Sequence, residues 1–286
     1  MKKTRGEKLF YIFNCVFLGV IALLALYPFV YVLSASISSS DAVVTGKVIL
    51  LPRDINFDSY AKVLSEKGIW IAYFNTFYYT IFGVIVNLIL TICGAYALSK
   101  KRVMGRTAIS FFIALTMWFQ PGMIPMYLNF RDLNMLDNRF TIIIGFAITT
   151  FYVFLMRTFF QSIPEELEEA AKVDGANDLT ILWKVYLPLS KASLVTIGLF
   201  YAVHRWNGYF WTMILLSDES KVPLQVLLKK LIVEMNVSDE MGNMAVYSKE
   251  TIIYATIIVS IIPIVAAYPF IQKYFVKGAM IGSVKG

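Results

Sequence analysis

At 286 residues, with 58% hydrophobic residues, 16% charged ones and a mean hydropathy of +0.66, the chain is too apolar for a soluble globular domain. Its net charge of +7 lies in short basic segments beside apolar runs, the pattern of membrane topology and not of a nucleic-acid partner. An all-α polytopic membrane protein is the class that remains.

The first apolar run, 9–33, is too long for a signal-peptide core and has no small-residue cleavage site after it, so it reads as a retained span. Further runs at 73–98, 107–128, 141–160, 192–216 and 251–275 reach the roughly 20 residues that cross a hydrocarbon core. Six transmembrane helices are therefore expected. Cys15 and Cys93 sit inside apolar runs with no second Cys or His nearby, and read as packing residues. The 34–40 segment, followed by Leu51-Pro52, reads as polar loop with a short helix. Pro223 to Leu228 reads as an amphipathic surface helix. One membrane domain over 1–286 is the economical count: a core of about 72–275, an N-terminal helix at 9–33, and an insertion at 162–190.

Orientation follows from the basic residues. Lys2, Lys3, Arg5 and Lys8 precede the first span, Lys100, Lys101, Arg102 and Arg106 fill the link after the second, and Lys273, Lys277 and Lys285 follow the last. By the positive-inside rule these segments, both termini and the 162–190 insertion face the cytosol. The 41–72 segment, the 131–139 link with its balanced Arg and Asp, and the 218–250 loop face outward.

The insertion is the most strongly patterned stretch. Ser162 and Glu165 form a predicted capping box, with Pro164 tolerated in a first turn. Glu165, Glu166, Glu168 and Glu169 favour the helix N-terminus, and Leu167, Ala170, Ala171 and Asp174 follow at helical spacing, the two alanines leaving a surface another backbone can approach. Gly175 is the expected C′ residue. Asn177 or Asp178 can cap a second helix through Leu182, Val185 and Tyr186 to Pro188. A glutamate-led helix pair differs from Lys- and Arg-rich lipid-surface helices, and fits a docking surface for a soluble partner.

Enzyme signatures are scarce. There is no G-x-x-x-x-G-K-[ST] loop, and His204, the only histidine, has no partner at ligand spacing, so neither a metal site nor hydrolytic machinery is indicated. An intramembrane enzyme would need acid/base pairs that the chain lacks. Polar residues at membrane depth are the better clue. Arg205, Trp206, Asn207 and Tyr209 offer hydrogen bonds and flat rings of the kind that hold a sugar along a translocation path; equally, Arg205 can pair within the bundle and the rings form a belt. Trp118, Gln120, Pro121 and Gly122 interrupt the third span, as a ligand-lining gate or as a packing kink. Asn75 and Asn87 read as interhelical contacts.

Glu169-Ala170-Ala171, Asp174-Gly175-Ala176 and, after nine residues from Gly175, Val185-x-Leu187-Pro188 resemble the EAA loop of bacterial ABC-importer permeases. Val185 stands where isoleucine is often found. The Trp206-Asn207 region, Pro223-Leu224-Gln225 and the Gly282-Ser283-Val284-Lys285-Gly286 tail resemble MalG-like carbohydrate permeases. Met156 to Gln161 and Ile124-Pro125-Met126-Tyr127 are similar to their complex-oligosaccharide subgroup, with Gln120-Pro121-Gly122-Met123 where a Gly-Gly pair commonly precedes the Ile-Pro. The resemblance implies a type I importer permease of the bacterial plasma membrane. It would lie in lipid, pair with a second homologous permease, rest on two ATPase subunits, and receive sugar from an extracytoplasmic binding protein. It would hold no cofactor, ATP and Mg being bound by the ATPase subunits. Glu169, Ala170, Ala171, Asp174, Gly175, Ala176, Leu187 and Pro188 would couple it to them. An amino-acid, peptide or phosphonate importer using the same loop is the alternative.

Overall fold

Long apolar runs form helices because only a helix satisfies its own backbone away from water, and helices account for every regular element among the described residues, 4–239 and 249–283 of a computed structural model. Lys2, Lys3, Lys285 and the last three residues of the tail motif lie outside the described residues. In chain order the helices are α1 (Arg5–Ser36), α2 (Ser40–Val44), α3 (Asp58–Ser65), α4 (Lys67–Ser99), α5 (Arg106–Leu115), α6 (Met123–Asp132), α7 (Arg139–Ile144) and α8 (Thr150–Gln161). There follow α9 (Glu165–Val173), α10 (Asp178–Ile181), a π-helical turn (Leu182–Tyr186), α11 (Leu187–Leu189), α12 (Lys191–Asn207), α13 (Phe210–Leu215), a 3₁₀ turn (Glu219–Lys221), α14 (Leu224–Asp239) and α15 (Lys249–Ser283).

Of these, α1 and α4 are uninterrupted helices long and apolar enough to cross a membrane, and the pair Asp178–Leu189 and Lys191–Asn207 qualifies if its 84° bend is one broken span. Three of the expected spans are interrupted. The run 107–128 breaks over 116–122, where Pro121 has no amide to donate and Gly122 takes φ +79°. The run 141–160 breaks over 145–149. There Gly145 lets the Phe130 ring approach within 2.9 Å of where a Cβ would stand. The run 192–216 breaks at Gly208. The expected surface helix after Pro223 is α14, but Leu224, Val226 and Leu228 are buried, so its first turns are not a surface. Cys15 and Cys93 correct another expectation: both are exposed on apolar helices and neither packs in a core.

Chain contacts divide the molecule into two units, 1–70 with 227–264, and 71–226 with 265–286. In the first, α1 starts at a capping box in which Thr4 Oγ1 accepts from the Glu7 amide and Glu7 from that of Thr4. Its apolar stretch is left uncovered, while its last turn is buried with α2 around Ala35, Ala42, Val43 and Val48. In the second unit, one core joins the C-terminal half of α4 to α8, α10, the π turn and α12 through Ala95, Met156, Phe160, Ile181 and Tyr201. Small residues permit the close approach: a Cβ on Gly198 would stand 3.3 Å from Leu88. A second core gathers Tyr79, Phe130, Ile142, Ile143, Leu215 and Leu216.

Candidate functional site

The 165–188 segment folds as a helix pair. Its first helix does not begin with the expected capping box. Ser162 closes α8 instead, its amide bonding Thr158 and Phe159 carbonyls and its hydroxyl donating to Phe159 O at 2.7 Å, so Pro164 occupies the N-cap of α9 without a side-chain bond. The C-terminus follows the glycine logic. Gly175 takes φ +78°, its amide bonds Lys172 O at 3.0 Å, and the Ala176 amide bonds Ala171 O at 2.9 Å, the two bonds of a Schellman motif. Asn177 Oδ1 then accepts from the Thr180 amide at 2.8 Å and starts α10. Pro188 does not end this helix. It lies within α11, and the ladder shifts to a five-residue spacing just before it, with the Leu187 amide bonding Leu182 O. The chain turns at Ser190.

Helical spacing put Leu167, Ala170 and Ala171 on the apolar face, but the residue of α9 that is buried is Glu168. Its carboxylate accepts from Lys100 Nζ, from Lys172 Nζ one turn on at 2.7 Å, and from the Tyr186 hydroxyl at 2.7 Å. The Lys100 ammonium lies over the rings of Tyr96 and Tyr186, 4.1 and 3.8 Å from their centroids. Burial alone would raise the Glu168 carboxyl, but the three donors outweigh it and hold it down to about 2. Burial also lowers Lys100, against the pull of Glu168, so the two partners shift the same way and the carboxylate gains most from the cluster. Burial and the bond to Glu168 together push the Tyr186 phenol up.

Two further ties bind the pair to the 100–102 link. Arg102 donates to Asp178, a bond that raises the guanidinium, and the Tyr96 hydroxyl donates to Asp178 O at 3.2 Å. Lys101 meets Glu165 at 2.8 Å, but both are exposed and the contact contributes little. Between the link and α9 opens a polar hollow of about 800 Å³ lined by both signs of charge. Leu167, Val173 (88% exposed), Leu179 and Trp183 are exposed on the pair. Glu169, Ala170, Asp174, Gly175 and Pro188 are exposed, and Ala171, Ala176 and Leu187 are half-buried.

The residues proposed for a path are not one cluster. Arg205 is held inside the second unit: its guanidinium donates to the carbonyls of Ile142, Ile143 (2.7 Å) and Phe146 (3.1 Å) and to Asn87 Oδ1 (2.8 Å). It lies over Gly83, where a Cβ would come within 2.8 Å of its Nε. The charge thus sits at the C-terminal carbonyls of α7, where a helix dipole favours a cation. Trp206 is buried edge-on against Phe77, ring centroids 5.1 Å apart. Asn207 and Tyr209 are exposed and line, with Arg205, a hollow of about 240 Å³; Trp118 (84% exposed) and Gln120 are exposed elsewhere. Asn75 reaches the carbonyls of Ser220 and Val222 at 2.9 and 3.0 Å.

Sequence reasoning missed Glu168, Lys100 and Tyr186. The signal available was the Glu168/Lys172 spacing of four, and Lys100 as a cation with an apolar helix before it.

Residues 67–280 match the model of a protein family described as binding-protein-dependent transport system inner membrane component. The chain is 40% identical over 274 residues, 94% of its own length and 96% of the relative's, to the polygalacturonan/rhamnogalacturonan transport system permease protein YtcP of Bacillus subtilis (strain 168). It is 35% identical to protein LplC of the same organism over 100% of this chain and 98% of the relative. A solved bacterial ABC transporter involved in the import of the acidic polysaccharide alginate contains a chain 53% identical to it, superposing with a TM-score of 0.89 over 96% of this chain and 99% of that one.

Proposed function

The chain belongs to the family of binding-protein-dependent transport system inner membrane components, and from that premise we propose that it is the permease subunit of an ATP-driven carbohydrate importer, moving oligosaccharides rich in uronic acid. The relatives' polygalacturonan, rhamnogalacturonan and alginate cargoes support a sugar over the amino-acid, peptide or phosphonate alternative, and an acidic sugar over a neutral one.

The observation that carries the mechanism is a helix pair fixed to the body of the protein by buried charge, with four apolar side chains, Leu167, Val173, Leu179 and Trp183, left exposed on it. Exposed apolar side chains on a firmly held pair suit a groove in an ATPase subunit. On this reading the pair lies in the cytosol with both termini, and the six apolar runs cross the membrane, three of them broken. Glu169, Ala170, Ala171, Asp174, Gly175, Ala176, Leu187 and Pro188 receive the motion of two ATPase subunits, which bind the ATP and Mg; this chain binds no cofactor. A second permease completes the path, and an extracytoplasmic binding protein delivers the sugar, as the family's binding-protein dependence supports. Asn207, Tyr209, Trp118 and Gln120 are exposed and available to cargo, whereas Arg205 lines the hollow beside Asn207 and Tyr209, and Trp206 packs on Phe77.

The test is co-expression with the neighbouring transport genes. Val173→Glu with Leu179→Glu is expected to abolish co-purification of the ATPase subunits while leaving the permease folded. Retained co-purification would overturn the docking assignment. Uptake of labelled oligogalacturonides, competed by alginate oligomers but not by neutral oligosaccharides, checks the cargo class.

A further inference from the structure

One helix of the second unit touches every part the transport reading needs to connect. α4 runs without a break from Lys67 to Ser99, while the runs at 107–128, 141–160 and 192–216 are all interrupted. From Asn75 to Tyr96 it spans about 32 Å at 1.5 Å per residue.

At its C-terminal end the Tyr96 hydroxyl and, just beyond, Lys100 and Arg102 hold α9 and α10 through Glu168 and Asp178. Near its middle, Asn87 holds Arg205, and Thr91 shares a buried 2.7 Å hydrogen bond with Tyr201 of α12. At the other end, Asn75 donates to Ser220 and Val222, Tyr79 donates to Lys221 O at 2.8 Å, and Thr76 accepts from the Leu224 amide at 2.9 Å. The 217–224 segment is itself stiffened. Asp137 accepts from the amides of Ser217 and Asp218 and from Lys221 Nζ, and Arg139 donates to Ser220 O.

Sliding α9 without α4 would part Lys100 from Glu168, leaving a buried ammonium without its anion and the carboxylate with only Lys172 and Tyr186 of its own helix pair. An unpaired buried charge is costly. Moving both together keeps that pair intact. We propose that Glu168 and Lys100 are positioning residues that lock the α9–α10 pair to α4, so that this single helix carries displacement of the pair to the 217–224 segment at its far end. The inference rests on the transport reading: it names which part of the permease moves with the coupling helices.

The experiment uses the assembled complex in lipid, with Cys15 and Cys93 replaced by serine and spin labels at Glu166→Cys and Ser217→Cys, both exposed positions. Pulsed EPR distances are measured without nucleotide and in the ATP-trapped state. The expected result is one mean distance in both states, within the width of the distribution. Lys100→Met should broaden the distribution and remove most of the cargo stimulation of ATP hydrolysis, while Lys100→Arg retains both. A wild-type distance that changes between the states overturns the proposal whatever the variants do, as does a Lys100→Met complex with unchanged distance and coupling. Failure of the ATPase subunits to co-purify with the unlabelled chain overturns the transport reading instead, and is scored first.

Discussion

Gly175 separates strain within the chain from contact with a partner. Its φ of +78° is one that L side chains rarely adopt, yet a Cβ built on it meets nothing within 4 Å. The cost of Gly175→Ala inside the chain is therefore backbone strain, about 1–2 kcal/mol. Gly175→Trp adds bulk into open space and should carry the same cost, whereas Gly175→Asn, which tolerates the left-handed region, should cost less. The three purified permeases should unfold in the order Asn above Ala and Trp, within a few degrees of one another. In the assembled complex the ranking should change. Gly175→Ala is expected to keep most cargo-stimulated ATP hydrolysis and Gly175→Trp to lose nearly all of it, because the indole would stand where the ATPase groove is proposed to close. If the Trp variant is as active as the Ala variant, the turn is not at an interface. If the isolated Trp variant is much less stable than Ala, the open space is not open.

Four other outcomes follow from the same geometry. Because the Glu168 carboxyl is held down from 4.5 to about 2, its stabilisation is complete above about 4.5 and is lost as pH falls toward 2. Thermal unfolding between about pH 5 and about pH 3 should show a loss from this group of about 1–2 kcal/mol after screening, seen as a shallower pH dependence in Glu168→Gln, where Asp137 and Asp218 still titrate. Arg205→Ala should destabilise by about 2–4 kcal/mol, since it bares three carbonyls and Asn87, and Arg205→Lys should not restore the fork. A fully stable Arg205→Ala protein with impaired uptake would instead give the guanidinium to the path. Gly83→Ala, with its Cβ 2.8 Å from Arg205 Nε, should mimic part of that loss, about 1–3 kcal/mol in the same unfolding assay. Trp118→Ala and Gln120→Ala, both at exposed positions, should leave stability within about 0.5 kcal/mol; uptake rates then report whether they meet cargo.

Local chemistry was readable where one residue type decides the backbone. Gly175, Asn177 and the Gln120-Pro121-Gly122 break are dictated by φ, capping and a missing amide, and each stands where the spacing places it. The capping box failed because Ser162 was claimed by the preceding helix, a competition that a four-residue motif does not register. Burial of Glu168 was invisible for a different reason. Its stabilisers, Lys100 and Tyr186, come from 68 and 18 residues away, and Lys100 already had a sufficient explanation as part of a basic cytosolic link. Likewise Arg205 and Asn87 were each noticed as polar residues in apolar runs, but only the structure pairs them. The interruption at 145–149 carries no proline and comes from the fit of Gly145 under Phe130, a tertiary matter.

The 84° bend at Ser190 gives the protein a bell crank. One arm, 178–189, is about 18 Å long and the other, Lys191–Asn207, about 25 Å, taking 1.5 Å per residue. Rotation about a stiff elbow at Ser190 would turn a push at the Asp178 end through nearly a right angle and enlarge it at Asn207 by the ratio of the arms, about 1.4. On the transport reading, substitutions that soften the elbow would leave a push at the Asp178 end intact and lose its turned counterpart at Asn207.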